Sequence, residues 1–174
     1  LMPPKPLIER ARRGPFDEIW TPAHALTSLL PYLDKRKMIW ECAPGSGKLV
    51  GALRAAGHRV DFRTPPDFMH EQPLGSVIVT NPPYSKKVQF LRRANELAMP
   101  FAFLLPITTL GSRKCQRELE NATNVQIILL AKRIDFTGKG RPWFAVAWFV
   151  SGLGISYGSY EDRVTPQLIF PEDK

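Results

Sequence analysis

The stretch MIWECAPGSGKLV, residues 38–50, decides how the rest of the chain is read. MIWECA (38–43) is short and apolar enough for a buried strand, and Leu49 to Ala56 has the pattern of a helix closed by Gly57. Between them, ECAPGSGKLV (41–50) carries a glycine loop with a lysine behind it. Such a loop can cradle the phosphates of a nucleotide, but that chemistry requires the spacing G-x-x-x-x-G-K-[ST]. Cys42 stands at the first glycine position, and Leu49 stands where a hydroxyl should hold Mg²⁺. The loop is therefore a poor nucleoside triphosphate site, and its ligand has to be sought elsewhere.

Outward from this stretch, strand and helix patterns alternate. Upstream, Thr21-Pro22 resembles a helix N-cap followed by proline at the first helical position, and Leu26, Leu29, Leu30 and Leu33 give Ala23 to Leu33 a helical period. Downstream, HRVDF (58–62) reads as a second strand, TPPDFMHEQP (64–73) as loop, and SVIVT (76–80) as a strand stopped by NPPY. Lys86 to Ala98 follows as an amphipathic helix with Val88, Leu91, Ala94 and Leu97 inward. FAFLLP (101–106) is another buried strand, with a helix through Arg113 to Leu119 after it. VQIILLA (125–131) and WFAVAWFV (143–150) complete the strands, joined by the basic connector KRIDFTGKGRP (132–142). This order predicts an α/β fold with a mostly parallel central sheet, helices on both faces and an antiparallel edge hairpin. Ligands of such sheets bind outside the carboxyl ends of the strands, where strand order reverses. The glycine loop and NPPY both fall at strand carboxyl ends, so they are expected on one rim.

NPPY (81–84) has a chemistry of its own. An exocyclic aromatic amine is a poor nucleophile because its lone pair is delocalised into the ring. Asn81 offers a side-chain carbonyl as acceptor, and Pro82, without an N–H, can hold its backbone carbonyl toward a substrate. Pro83 stiffens the turn, and Tyr84 offers a flat surface for an extracted base, worth about 1–3 kcal/mol. Acceptors without a strong base suffice when the electrophile is a sulfonium methyl group. Taken by itself, the tetrapeptide also reads as a rigid turn after a strand.

Composition narrows the class. A chain of 174 residues, 44% hydrophobic, suffices for one packed domain and leaves little room for a second. A net charge of +8 favours a polyanionic partner. Cys42 and Cys115 give no disulfide framework, and the scattered His24, His58 and His70 show no zinc spacing. The longest apolar run, Phe144 to Val150, is too short for a membrane span, and LMPPKPLIER lacks a signal-peptide core. The composition reads as that of a soluble intracellular protein.

ECAPGSG (41–47) followed by TNPPYS (80–85) resembles the S-adenosylmethionine-dependent amino-methyltransferases of DNA, specifically the N6-adenine group. LLPITTLGSR (104–113), KRIDF (132–136) and VAWFV (146–150) resemble its small phage-type or prophage-type members, so the likeness spans about residues 16–150. The resemblance implies a Rossmann-like class I methyltransferase fold and one catalytic domain over 1–174. Residues 1–15 would be an N-terminal extension and 151–174 a tail, with no separate target-recognition domain. It implies S-adenosylmethionine as cofactor and a duplex with a flipped adenine, or single-stranded DNA, as substrate. No metal is implied. The cytoplasm of a bacterial or phage-infected cell would be the setting, without a membrane partner.

Carried onto this chain, the catalytic residues would be Asn81, Pro82, Pro83 and Tyr84. The cofactor would meet Glu41, Ala43, Gly45 and Gly47 of the loop, Trp20, Thr21 and Pro22 of WTP, the pair Asp67-Phe68, and Asn81. Glu41 is expected to meet the cofactor's ammonium group; capping the next helix is the other reading. Trp20 reads equally as a core aromatic, and Asp67 as a plain loop carboxylate. One departure stands out: the acid that usually ends the second strand and binds ribose falls, in this register, on Thr64, with Asp61 inside the strand, so either the register slips or ribose binding is weakened. Lys86, Arg113, Lys132, Arg133, Lys139 and Arg141 are the expected nucleic-acid contacts, each also readable as part of a solvated face. So short a chain predicts relaxed specificity, or a homodimer or accessory partner that supplies it. RNA adenine, cytosine N4 and protein glutamine are alternative acceptors. A decayed methyltransferase fold serving as a binding module is the non-catalytic alternative.

Overall fold

The computed structural model describes residues 21, 23–130, 134 and 145–155. Trp20, Pro22, Lys132, Arg133, Lys139 and Arg141 lie outside the described residues, as does most of the 132–142 connector.

The apolar runs form the strands expected of them. They are β1 (Met38–Trp40), β2 (Arg59–Asp61), β3 (Val77–Thr80), β4 (Phe101–Pro106), β5 (Gln126–Leu129) and β6 (Val146–Ser151). They make one six-stranded sheet in the order β2-β1-β3-β4-β6-β5. The β1–β2, β1–β3 and β3–β4 pairs are parallel, whereas β6 runs antiparallel to both β4 and β5. The edge hairpin is thus present, with β6 inserted between β4 and β5 rather than outermost. All six residues of VAWFVS are buried, while β5 exposes Leu129. The continuously apolar strand takes the interior place and the less apolar one forms the edge.

The helices are α1 (Ala23–Thr27), α2 (Lys48–Ala55), α3 (Lys87–Glu96) and α4 (Arg113–Glu120). α1 is much shorter than its leucine period suggests. Pro31 lacks an N–H and disfavours helix before it, so the chain passes into a short 3-10 turn, Leu30–Tyr32. Leu26, Leu29 and Leu33 are buried all the same.

Side chains alternate across the sheet. Ile39, Val77, Val79, Leu104 and Trp148 pack with Leu49, Val50 and Leu53 of α2 and with Leu29. Trp40, Ile78, Phe103, Leu105 and Phe149 pack on the other face with Phe90 and Leu91 of α3 and with Cys115 and Leu119 of α4. A parallel sheet covered on both faces needs such near-continuous apolar strands. The Trp148 indole N–H donates to the Ala25 carbonyl at 2.7 Å, which ties β6 to α1.

Gly75, ahead of β3, is a residue that sequence patterning passes over. A Cβ there would stand 2.6 Å from the Met38 carbonyl oxygen and 2.9 Å from the Trp40 nitrogen. Only glycine lets this segment lie against β1. Gly75→Ala is expected to destabilise the protein by about 2–3 kcal/mol, read as a lower urea midpoint at unchanged m-value.

Candidate active site

The chain runs from β1 to its neighbour β2 on one side, then crosses to β3 on the other. Strand order therefore reverses between the carboxyl ends of β1 and β3, where α/β sheets open a crevice. The glycine loop leaves β1 there, and Asn81 to Tyr84 leave β3. The two segments expected on one rim emerge from adjacent, hydrogen-bonded strands.

Glu41 follows β1 directly. Its N–H donates to the Asp61 carbonyl at 3.0 Å, and its side-chain Oε1 accepts the Ala43 N–H at 2.9 Å. The residue is only 1% exposed. Burial pushes its carboxyl up to about 7, against the opposing pull of the Thr80 side chain and the Ala43 N–H. Thr80, the last residue of β3, stands close enough to Glu41 for its side chain to draw that carboxyl down. A carboxyl held this way is a strong latent partner for a cation.

Gly45 and Gly47 have φ of +49° and +76°, which only glycine adopts without strain. A Cβ at either position would meet nothing within 4 Å. Backbone conformation thus dictates the glycines, and the space over the loop is open. Gly47 then caps α2, whose apolar face holds the loop in place.

Thr80 and Pro82 are buried and Asn81 is half-buried. Pro83 turns the chain into a 3-10 segment, Tyr84–Lys86, that leads into α3. The Tyr84 ring packs against the apolar cores on both faces of the sheet. That position puts the ring across the carboxyl edge of the sheet, beside Asn81. Burial pushes the Tyr84 hydroxyl well above its ordinary pKa, so it stays neutral and is no base. Lys87 Nζ donates to the Tyr84 carbonyl at 3.3 Å and pins the turn to the first residue of α3.

One expectation needs correction. Phe68 is 3% exposed, stacked on Phe90 at 4.9 Å with its edge toward Trp40 at 5.2 Å. Protein covers its ring, so Phe68 is a core residue that anchors its loop rather than a surface for a cofactor base. Asp67 beside it stays exposed and pairs with His70 at 2.9 Å. Arg93 of α3 holds this loop through the carbonyls of Phe68 and Glu71, at 3.4 and 3.2 Å. Of the two readings left open for β2, the register slip holds. β2 ends at Asp61, level with Trp40 of β1, so the acid at that strand's carboxyl end is Asp61 and not Thr64. The strand is shorter than HRVDF suggests because Phe62 N–H turns back to the Asp61 carboxylate at 2.9 Å.

Thr21 is buried ahead of α1. Lys86 lies just beyond the Asn81 turn and Arg113 opens α4, both exposed. Sequence reasoning passed over Thr80 and Arg93. The period-2 pattern of SVIVT held the only signal for Thr80, and nothing local marks Arg93.

The tRNA (m1A58) methyltransferase TrmI from Aquifex aeolicus superposes with a TM-score of 0.51 at 18% identity, covering 77% of this chain and 70% of that one. The fold is that of a class I methyltransferase. A putative RNA methyltransferase from Pyrococcus horikoshii superposes at 0.48 with 13% identity, over 74% of this chain and 80% of that one. A precorrin-6y C5,15-methyltransferase from Geobacter metallireducens gives 0.42 and 13%, over 73% and 85%. No protein-family model and no curated protein sequence matches the chain. In this methyltransferase fold the crevice between β1 and β3 is the candidate active site. Among the described residues, no helix is long and apolar enough to cross a membrane.

Proposed function

We propose that the chain transfers a methyl group from S-adenosylmethionine to the N6 amine of an adenine swung out of DNA. One observation carries this reading: the glycine loop and the Asn-Pro-Pro-Tyr turn leave neighbouring parallel strands where strand order reverses.

The residues fit the cofactor. The hollow over Gly45 and Gly47 is open, and the buried Glu41 carboxyl awaits a cation, which the ammonium of a methionine moiety provides. Asp61, at the end of β2, takes the place of the ribose-binding acid, and exposed Asp67 can meet the cofactor's adenine. When bound, S-adenosylmethionine supplies a sulfonium-activated methyl group. Asn81 and the Pro82 carbonyl accept the two N–H bonds of the target amine and draw its lone pair out of the ring. Tyr84, half-buried at the sheet edge, supports the extracted base. After transfer the nitrogen carries one proton too many, which leaves to water, so the site needs no strong base. Orientation and electrostatics supply the rate.

The test has two stages. Titration calorimetry is expected to show S-adenosylmethionine binding; a folded protein that gives no heat would instead be a decayed binding module. Labelled methyl is then expected on duplex or single-stranded DNA. Transfer to RNA or to a glutamine peptide, with DNA untouched, would replace this reading with one of its alternatives.

A further inference from the structure

Thr80 closes β3 immediately before the Asn81 turn, and it is fully buried. The rest of that strand, VIV, is aliphatic, and valine has nearly the shape of threonine. A buried hydroxyl costs free energy unless something pairs it. Among the described residues, Thr80 Oγ1 has no hydrogen-bond partner. Its neighbours come from the adjacent strand. Trp40 of β1 lies level with Ile78, and the same register carried onward brings Glu41 and Cys42 beside Val79 and Thr80. Glu41 and Cys42 are buried too, so the hydroxyl sits in a dry corner with a carboxyl and a thiol.

The two neighbours differ as acceptors. Burial, and after it the charge of Glu41, push the Cys42 thiol well above its ordinary pKa, so it stays neutral and accepts weakly. The Glu41 carboxyl changes character near neutral pH, because burial raises it to about 7 while Thr80 and the Ala43 N–H pull it back. Once ionised, it accepts charge-assisted hydrogen bonds roughly twice as strong as neutral ones. The other titratable groups at this corner are Asp61, ending β2, and Glu71, which bears on Cys42 from the loop after β2; both reach solvent. Resting on S-adenosylmethionine as the cofactor, we propose that Thr80 is the positioning residue of Glu41: its hydroxyl donates to the ionised carboxylate and holds it toward the cofactor's ammonium group. That bond keeps the charged form within reach at neutral pH. It also ties the end of β1 to the strand whose next residue, Asn81, meets the target amine.

Thr80→Val removes the hydroxyl at nearly constant volume, and Thr80→Ser keeps it. Glu41 is titrated in the free protein by carbon NMR of its side-chain carboxyl, with Glu41→Gln assigning the signal. Valine is expected to raise the midpoint by about one pH unit, and serine to leave it near the wild-type value. Calorimetry should then show S-adenosylmethionine binding about tenfold weaker in the valine variant at pH 5.5 and nearly equal to wild type at pH 8.5, because only the ionised fraction of the carboxyl differs. Stability of the free protein follows the opposite pattern, since the bond exists only with the carboxylate. Thr80→Val should lower the urea midpoint at pH 8.5 and not at pH 5.5, and a Glu41→Gln background should erase that difference. A merely structural role would lower stability alike at both pH values and in both backgrounds. An unmoved Glu41 midpoint, or a serine variant that moves as far as valine, would overturn the proposal and leave the methyl-transfer reading intact. A midpoint that moves as expected in a protein that binds no S-adenosylmethionine would overturn that reading and keep the Thr80–Glu41 bond.

Discussion

Asn81→Ala is expected to lower single-turnover methyl transfer by at least about 10²–10³-fold while cofactor affinity stays within about tenfold. The asymmetry follows from where the side chain stands. Asn81 directly follows the buried end of β3, in the turn held by Pro82 and Pro83, and the loop proposed to seat the cofactor belongs to β1. Removing the amide takes away an acceptor for the amine, and the glycine loop keeps its conformation. Asn81→Asp retains an acceptor oxygen and should keep more activity than the alanine variant. The check is labelled-methyl transfer at saturating enzyme, with calorimetry for the cofactor. Wild-type rates in the alanine variant would refute the role, and equal losses of rate and cofactor binding would show a cofactor contact instead.

Glu41→Gln should separate stability from function. Folding raises this carboxyl from an ordinary 4.5 to about 7, so the folded state holds its proton more tightly than the unfolded chain. The group's contribution is fully present below pH 4.5 and is lost as pH rises through 7, a swing of about 3 kcal/mol. Glutamine keeps an oxygen for the Ala43 N–H and removes the titration. At pH 8 the variant should therefore be more stable than the wild type by up to about 3 kcal/mol, with the difference shrinking toward pH 5. Cofactor binding should move the other way, because the ammonium needs the carboxylate: a loss of about tenfold or more in the variant. In the wild type, affinity should fall about tenfold per unit once pH drops below 7. Urea unfolding and calorimetry at pH 5.5 and 8 measure both. A variant no more stable than wild type at pH 8, and equal to it in cofactor affinity, would show that Glu41 is neither buried in charge nor a ligand group.

Much of this site was legible because its parts are local. A strand ending at a glycine-rich loop, and another ending at Asn-Pro-Pro-Tyr, are written in consecutive residues, and parallel α/β connectivity then brings strand ends to one rim. Asn81 could be named as a candidate from that logic, while the roles expected of Glu41, Gly45 and Gly47 came from the resemblance. Phe68 could not be placed correctly, since its neighbours Trp40 and Phe90 come from β1 and α3, far off in sequence. The register of β2 stayed open for a smaller reason: HRVDF does not reveal that an aspartate side chain captures the next N–H and ends the strand.

By itself the sequence determined the alternation of strands and helices, the two loops of the candidate site, and the excess of positive charge. Each depends on short-range pattern, on backbone freedom at glycine and proline, or on composition. Only the tertiary structure decided that β6 enters the sheet beside β4, that Gly75 must lack a side chain against β1, and that Glu41 loses its water. Those outcomes depend on which distant surfaces exclude solvent from each other, and burial between remote segments leaves no mark in any single stretch of chain.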